Sequence, residues 1–415
     1  MERTLNQDGS RVSPNAERRM AGNPALIAII RRAIETSGQI TFAEFMRIAL
    51  YDPDHGYYQA PDRKPGRGGD FLTAPELHPF FGLSIARQVA ECWDRLGRPD
   101  RFTVREYGAG IGGLAYDLIV GLLDGRPEIR SALRYEMVEV NPHLVARALE
   151  AMREVGFGEI VTAVDPGLDA LEPIAGAAIA NEVADALPVH RLQWNGAGFD
   201  ELWVTWDPAG RFTERAGDLS PAVGAIEIET YLERHGIHPA TWPVGARIEV
   251  CPASARWMAS LAHGIERGYA FIIDYGYSAP ELYRDHRLEG TLRGYHTHTV
   301  TDDPLIRVGL QDLTAHVDFT RLAEAAREAG MTAAGLTTQA DFLAQVGLGD
   351  LLVDLQRQPD LGVDEYYRAQ AAVFRLIDPA GLGRFRVLAL EKDVRNPGPF
   401  QGFLDPDVPS GLIVR

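Results

Sequence analysis

The chain has 415 residues, 46% hydrophobic and 24% charged, which is globular composition and excludes a collagen-like, coiled-coil or wholly disordered polypeptide. Its 58 acidic residues against 41 basic ones give a net charge of −17, which repels a nucleic-acid backbone over most of the surface and argues against a nucleic-acid partner. The two cysteines, Cys92 and Cys251, form no C-x-x-C pair, and no run of about 18 apolar residues occurs; the sequence predicts a soluble, cytoplasmic protein with no disulfide framework, metal site or membrane span.

Residues 1–22 mix four arginines with Glu2, Asp8 and Glu17, which reads as a disordered tail rather than an import signal. A helical extension is predicted over 23–100. Asn23 and Pro24 suit the start of a helix that Gly38 can stop. Thr41 with Glu44 marks a second start, running through Phe45 and Leu50. Residues Tyr51 to Tyr58 form an aromatic-rich turn, and Arg63 to Asp70 a glycine-rich loop. Thr73 with Glu76 opens a helix expected to continue through Phe81, Ile85 and Val89 to Trp93.

From 101 to 191 strands and helices alternate. Strands are predicted at Phe102 to Tyr107, Arg134 to Val140, Ile160 to Val164 and Ala177 to Asn181, with helices from Leu114 and Pro142. Such alternation implies an α/β fold with a parallel sheet covered on both faces. Two apolar runs around Asn195-Gly196 then signal a hairpin, followed by a helix from Ser220 to about Arg234. Residues 192–245 are read as an insertion. The sheet pattern resumes over 246–395, with strands at Arg247 to Val250, Tyr269 to Asp274, Met331 to Thr337 and Arg384 to Leu390, and helices from Ala253 and Phe319. Residues 396–415 contain four prolines and are expected to form an irregular tail.

The chemistry concentrates in Glu106-Tyr107-Gly108-Ala109-Gly110-Ile111-Gly112-Gly113, between a strand and a helix. Glycines let the backbone turn sharply and approach a ligand, and the helix N-terminus offers free N–H groups. The spacing Gly108-x-Gly110-x-x-Gly113 fits a dinucleotide fingerprint, and Glu106-x-Gly108-x-Gly110-x-Gly112 fits an S-adenosylmethionine site equally well. Glu139, at the next strand tip, can take both ribose hydroxyls of an adenine nucleoside in either case. Asp165, after the third strand, is placed to contact adenine. Asn181, Glu182 and Asp185 follow the central strand, where ligands of doubly wound sheets sit; the two acids can hold a cationic acceptor or remove its proton.

The chain resembles the MidA family of class I S-adenosylmethionine-dependent methyltransferases. The resemblance rests on Ile40 to Met46, Ala49 to Pro53, Gly56-Tyr57-Tyr58, Gly69 to Glu76 and Phe81-Gly82. It continues through the glycine turn, Asn181-Glu182 and Asp185 to Pro188. The later matches are Ile273 to Gly276, Gly290 to Arg293 and Asp312 to Phe319. Where family members often carry Pro and Arg within the turn, this chain has Ala109 and Ile111. The resemblance implies a Rossmann-like class I methyltransferase sheet with a helical N-terminal extension and an inserted hairpin and helix. It implies S-adenosyl-L-methionine as cofactor, held by Gly108, Gly110, Gly112 and Glu139, with Glu106, Asp165, Asn181 and Asp70 as further candidates. Mitochondrial relatives methylate an arginine of a respiratory complex I subunit, so Glu182 and Asp185 are expected to orient a guanidinium on a protein substrate. A small-molecule acceptor, a non-catalytic assembly factor and, last, a nicotinamide oxidoreductase are the alternatives. Tyr57, Tyr58, Tyr275, Arg293, His298, His316 and Asp318 are candidate acceptor or rim residues.

Overall fold

The computed structural model describes residues 22–60, 73–166, 171–297, 299–395 and 399–404. Among the described residues, seven strands form the central sheet: β1 (Phe102–Tyr107), β2 (Leu133–Val138), β3 (Val161–Val164), β4 (Ile174–Asn181), β5 (Ile265–Asp274), β6 (Thr332–Thr338) and β7 (Arg386–Lys392). Their order is β6-β7-β5-β4-β1-β2-β3. Only β7 runs antiparallel, wedged between β5 and β6. The predicted α/β sheet is thus present, and strand order reverses between β1 and β4. Small residues explain the centre: Ala177, Ala178 and Ala180 of β4 are buried, and β1 and β5 pair with them on either side. One face is covered by the helices Phe80–Arg95 and Gly113–Gly125, the other by Pro252–His263 and Phe319–Glu328.

The N-terminal extension divides into two parts. The helices Pro24–Ser37 and Phe42–Tyr51 begin where expected, capped by the Asn23 and Thr41 side chains. They pack Leu26, Ile30, Phe42 and Phe45 against Val204, Leu292 and Leu313 rather than on the central sheet. The predicted helix from Thr73 to Trp93 is two helices, Ala74–Leu77 and Phe80–Arg95. The break falls at His78-Pro79: a residue before proline is driven to extended backbone, and His78 has φ −167° and ψ 147°.

A second sheet draws on strands from both sides of the stretch 192–245. His190–Trp194, Phe199–Trp206, Phe212–Gly217 and Arg247–Val250 form it, joined by Ile40–Thr41 from the N-terminal extension. Arg247–Val250, expected in the main sheet, pairs instead with His190 to Gln193. The hairpin closes with Trp194 opposite Phe199, so its loop is Asn195 to Gly198 rather than Asn195-Gly196 alone. The single helix expected from Ser220 to Arg234 is split into Pro221–Gly224 and Ile228–Arg234, because Glu227 turns left-handed at φ 51°. At the C-terminus, where an irregular tail was expected, Phe400 and Phe403 are fully buried against Phe271 and Phe342. The tail at 1–21 and Asp70 lie outside the described residues.

Candidate active site

The carboxyl ends of β1, β2, β4 and β5 converge at the point where strand order reverses, the usual ligand crevice of an open α/β sheet. Leaving β1, the chain turns through Gly108, Gly110 and Gly112, all at positive φ. At Gly108 a side chain is excluded twice over: φ is +72°, and a Cβ would come within 2.8 Å of Val183. At Gly110 the outward side is open, with no atom within 4 Å of where a Cβ would be. Gly112 caps the helix Gly113–Gly125, whose positive end faces the crevice.

Glu139 closes this cradle. One carboxylate oxygen accepts the Gly110 amide at 2.8 Å and the other accepts the Asn141 amide at 2.9 Å. Each oxygen keeps a lone pair for a further donor, as a ribose diol requires. Ile111 and Val140 stand about it as exposed apolar side chains, 39% and 40% accessible, which suits a flat aromatic base. Glu106 lies beneath the turn, 3% exposed, accepting the Tyr135 hydroxyl at 2.7 Å. Burial pushes its pKa up to about 8 despite that hydrogen bond, so it holds a proton at neutral pH. Asp165 is exposed after β3. These residues fit an adenosine-bearing cofactor: an open glycine cradle, an oriented carboxylate and apolar cover.

Across the crevice, Asn181 ends β4 and Glu182 follows it. Glu182 takes the left-handed region at φ 53°, a strained conformation for a side chain of this kind and one that clusters at functional sites. Its amide donates to the Ile273 carbonyl at 2.8 Å, and its carboxylate accepts from Asn181 Nδ2 at 3.1 Å and the Ala74 amide at 3.4 Å. Asp185 follows in a short 3-10 turn. Asp274, at the end of β5, is fully buried and clamps that turn by accepting the amides of Ala184 and Asp185 at 2.9 and 3.1 Å. Asp312, also fully buried, accepts the Tyr58 hydroxyl at 2.6 Å.

This side is a set of carboxyls in search of a cation. No Arg, Lys or His forms an ion pair with Glu182, Asp185 or Asp274 among the described residues. Burial, then Asp185, raises Glu182 to about 8; burial, then Asp312, raises Asp185 to about 7. Burial, then Asp185 and Glu182, pushes Asp274 well above the usual carboxylate range. Asp185 is 6% exposed, and its Oδ1 is buried with no hydrogen-bond partner among the described residues; the Oδ1 of Asn181 is likewise unmatched.

The aromatic turn from the N-terminal extension spans both halves. The Tyr58 carbonyl accepts Asn141 Nδ2 at 2.8 Å on the cradle side, while the Tyr58 hydroxyl reaches Asp312 on the acid side. Tyr51 donates to the Ala186 carbonyl at 2.9 Å and its ring packs on Tyr58. Tyr275 packs edge-on against His316 at 5.4 Å and stabilises the charged form of Asp185. His298 lies outside the described residues. Among the described residues, no group of three or more His, Cys, Asp and Glu side chains has the geometry of a metal site, and no helix is long and apolar enough to cross a membrane. Asp274 and Asp312 are not among the residues predicted from sequence, although both stand in stretches that carry the family resemblance. The available signal was an acid ending the apolar run Phe271-Ile272-Ile273, where a charge needs a purpose.

The model of a family described as "Putative S-adenosyl-L-methionine-dependent methyltransferase" matches residues 84–337. The protein arginine methyltransferase NDUFAF7 of Xenopus tropicalis, a mitochondrial protein, is 30% identical over 360 residues, covering 80% of this chain and 78% of that protein. Its human counterpart is 28% identical over 351 residues, covering 79% and 75%. A crystal structure from Burkholderia thailandensis, bound to S-adenosyl-homocysteine, is 32% identical with a TM-score of 0.82 and covers 98% of this chain and 99% of that one.

Proposed function

The chain belongs to the MidA family of S-adenosylmethionine-dependent methyltransferases, and from that premise we propose that it methylates the guanidinium of an arginine side chain on a protein. The observation that carries the acceptor assignment is the buried carboxyl set of Glu182, Asp185 and Asp274, which has no cation of its own among the described residues. A guanidinium supplies the missing charge with planar, paired N–H donors. The Xenopus tropicalis and human relatives bear the name protein arginine methyltransferase, which supports the same reading.

When bound, S-adenosylmethionine supplies a methyl group already electrophilic by attachment to a sulfonium. The chain's own residues then have three tasks. Glu139, held by the Gly110 and Asn141 amides, anchors the ribose, and the glycine turn seats the rest of the cofactor. Asp185 Oδ1 and Glu182 accept guanidinium N–H groups and orient the nitrogen, while Asp274 fixes the turn that carries Asp185. Asp185, raised above the usual carboxylate range by burial and by Asp312 in the cation-free site, is the carboxyl placed to take the proton the nitrogen loses on methylation. Tyr58 and Tyr51 hold the N-terminal extension over the crevice and keep water out. A subunit of respiratory complex I is the partner to which the family resemblance points, and a cytoplasmic site of action suits the free thiols of Cys92 and Cys251.

The test is transfer of labelled methyl from S-adenosylmethionine into a lysate, with Asp185→Asn run beside it. A labelled protein that hydrolyses to methylarginine, lost in the variant, is the expected result. Label confined to small molecules overturns the protein acceptor.

A further inference from the structure

A second cavity, of about 580 Å³, is walled by residues 243–246 and 286–291 together with Arg293 and His316. Its charge is opposite to that of the acid pocket, in a protein of net charge −17. Arg287 donates to the Glu281 carbonyl and stacks 3.9 Å from the Tyr277 ring centroid, yet has no carboxylate partner among the described residues. Arg293 meets Asp302 at 3.2 Å, an acid 85% exposed and easily exchanged. Arg384 stands close by, exposed and without an ion pair among the described residues. Glu289 lies in the wall, and the buried Glu249 stands behind it, its carboxylate accepting the Thr291 amide and hydroxyl at 2.6 and 3.0 Å.

His316 registers this field. Burial first, then Arg384, Arg287 and Arg293, lower its pKa to about 4, so it is neutral at pH 7. Its Nδ1 is buried without a hydrogen-bond partner among the described residues. The cavity and the acid pocket share a wall. The His316 ring packs on Tyr275, which meets Asp185. The Tyr295 hydroxyl feels both sides: beyond burial, Asp185 and Asp312 raise its pKa while Arg293 and Arg384 lower it.

The two sites thus lie on either side of Tyr275 and His316, and a ligand that spans them meets a cation site at one end and an anion site at the other. We propose that the cavity walled by Arg287, Arg293 and His316 binds a carboxylate carried by the methyl acceptor, an Asp or Glu side chain close to the target arginine of the acceptor protein. The assignment rests on the arginine reading above. Guanidiniums recognise carboxylates by paired, charge-assisted hydrogen bonds, and the neutral imidazole can add a donor. The site selects sequences in which acid and arginine are neighbours, although the protein as a whole repels acidic peptides.

Two peptide pools test this, each with one central arginine and randomised flanks, one containing Asp and Glu and the other Asn and Gln at the same positions. The acidic pool should be methylated with a kcat/KM about tenfold higher, the scale of one charge-assisted hydrogen bond. Fluorescence anisotropy on the enzyme–S-adenosylhomocysteine complex should show the same preference in Kd. In Arg287→Gln and Arg384→Gln the ratio should fall toward one, and Arg287→Glu should favour a pool bearing Lys at the flanks. Calorimetric binding of S-adenosylhomocysteine reports that each variant has folded. Equal use of both pools, with methylarginine formed, overturns the anion site and leaves the arginine reading standing. No label in either pool overturns both. Methylation of free arginine in place of the pools, with a KM raised in Arg287→Gln, overturns the protein source and assigns the carboxylate to the amino acid itself.

Discussion

Glu139 and Gly110 are joined by a hydrogen bond of 2.8 Å that ties the tip of β2 to the turn after β1. The bond orients the carboxylate and fixes the turn together. Glu139→Ala should weaken S-adenosylhomocysteine binding by about 10- to 100-fold, the loss of one or two charge-assisted hydrogen bonds. Glu139→Gln, which keeps the shape and one acceptor, should lie between. Titration calorimetry measures both, and an unchanged Kd in the alanine variant would remove Glu139 from the site.

On the acceptor side the expectation concerns turnover rather than cofactor affinity. A neutral carboxyl cannot balance a guanidinium, so kcat/KM for the acceptor should rise with pH through about 7 to 8, as Asp185 and Glu182 ionise. Asp185→Asn should lower kcat/KM by about 100-fold or more and flatten that rise, with cofactor Kd retained. A pH profile that is already flat in the wild type would contradict the roles given to both acids.

The same groups set a stability trend. Glu106 and Glu182 at about 8 and Asp185 at about 7 are raised in the folded state, whereas unfolded carboxyls titrate near 4. The folded protein therefore holds protons that the unfolded chain has released, and this contribution to stability is lost as pH rises through the folded values. His316, lowered to about 4, acts in the opposite sense only below about 6.5. The Tm of the cofactor-free protein should accordingly fall between pH 6.5 and 8.5. A Tm that rises over that interval would show that these carboxyls are already ionised.

Phe403 is fully buried against Phe271 and Phe342, and Gly335 is close enough that a Cβ there would meet its ring at 2.6 Å. Phe403→Ala should cost about 3–5 kcal/mol of folding stability, as for other buried aromatics. Denaturant unfolding gives the number, and a loss below about 1 kcal/mol would mean that the segment does not dock in solution.

Local signals in the sequence marked the glycine turn and the Glu139 strand tip, which the fold brings side by side. The glycines and the caps at Asn23 and Thr41 act through local backbone, so their spacing is informative, whereas Glu139 is marked only by its place at a strand tip and meets Gly110, 29 residues earlier. The acid pocket was half legible: Glu182 and Asp185 adjoin one strand end, but Asp274 and Asp312 reach them only through the sheet and the Asp312–Thr314 strand. Arg247–Val250 was misplaced for a related reason. Its alternation fits any sheet, and its partner at His190 to Gln193 is chosen by tertiary packing. Phe400 and Phe403 were hidden among prolines, which speak for irregular backbone but not for exposure.

The position of β7 bears on how the protein is made. Arg386–Lys392 is the last of the seven strands of this sheet to leave the ribosome, yet it occupies the slot between β5 and β6. The cradle and Glu139 emerge early, whereas the apolar edge of β5, Tyr269 to Ile273, must wait for the strand that pairs with it. At about 5–20 residues per second this leaves the edge unpaired for seconds, long enough to recruit other nascent chains. Premature termination anywhere between β5 and β7 thus yields a polypeptide that carries its cofactor cradle on an open, aggregation-prone sheet.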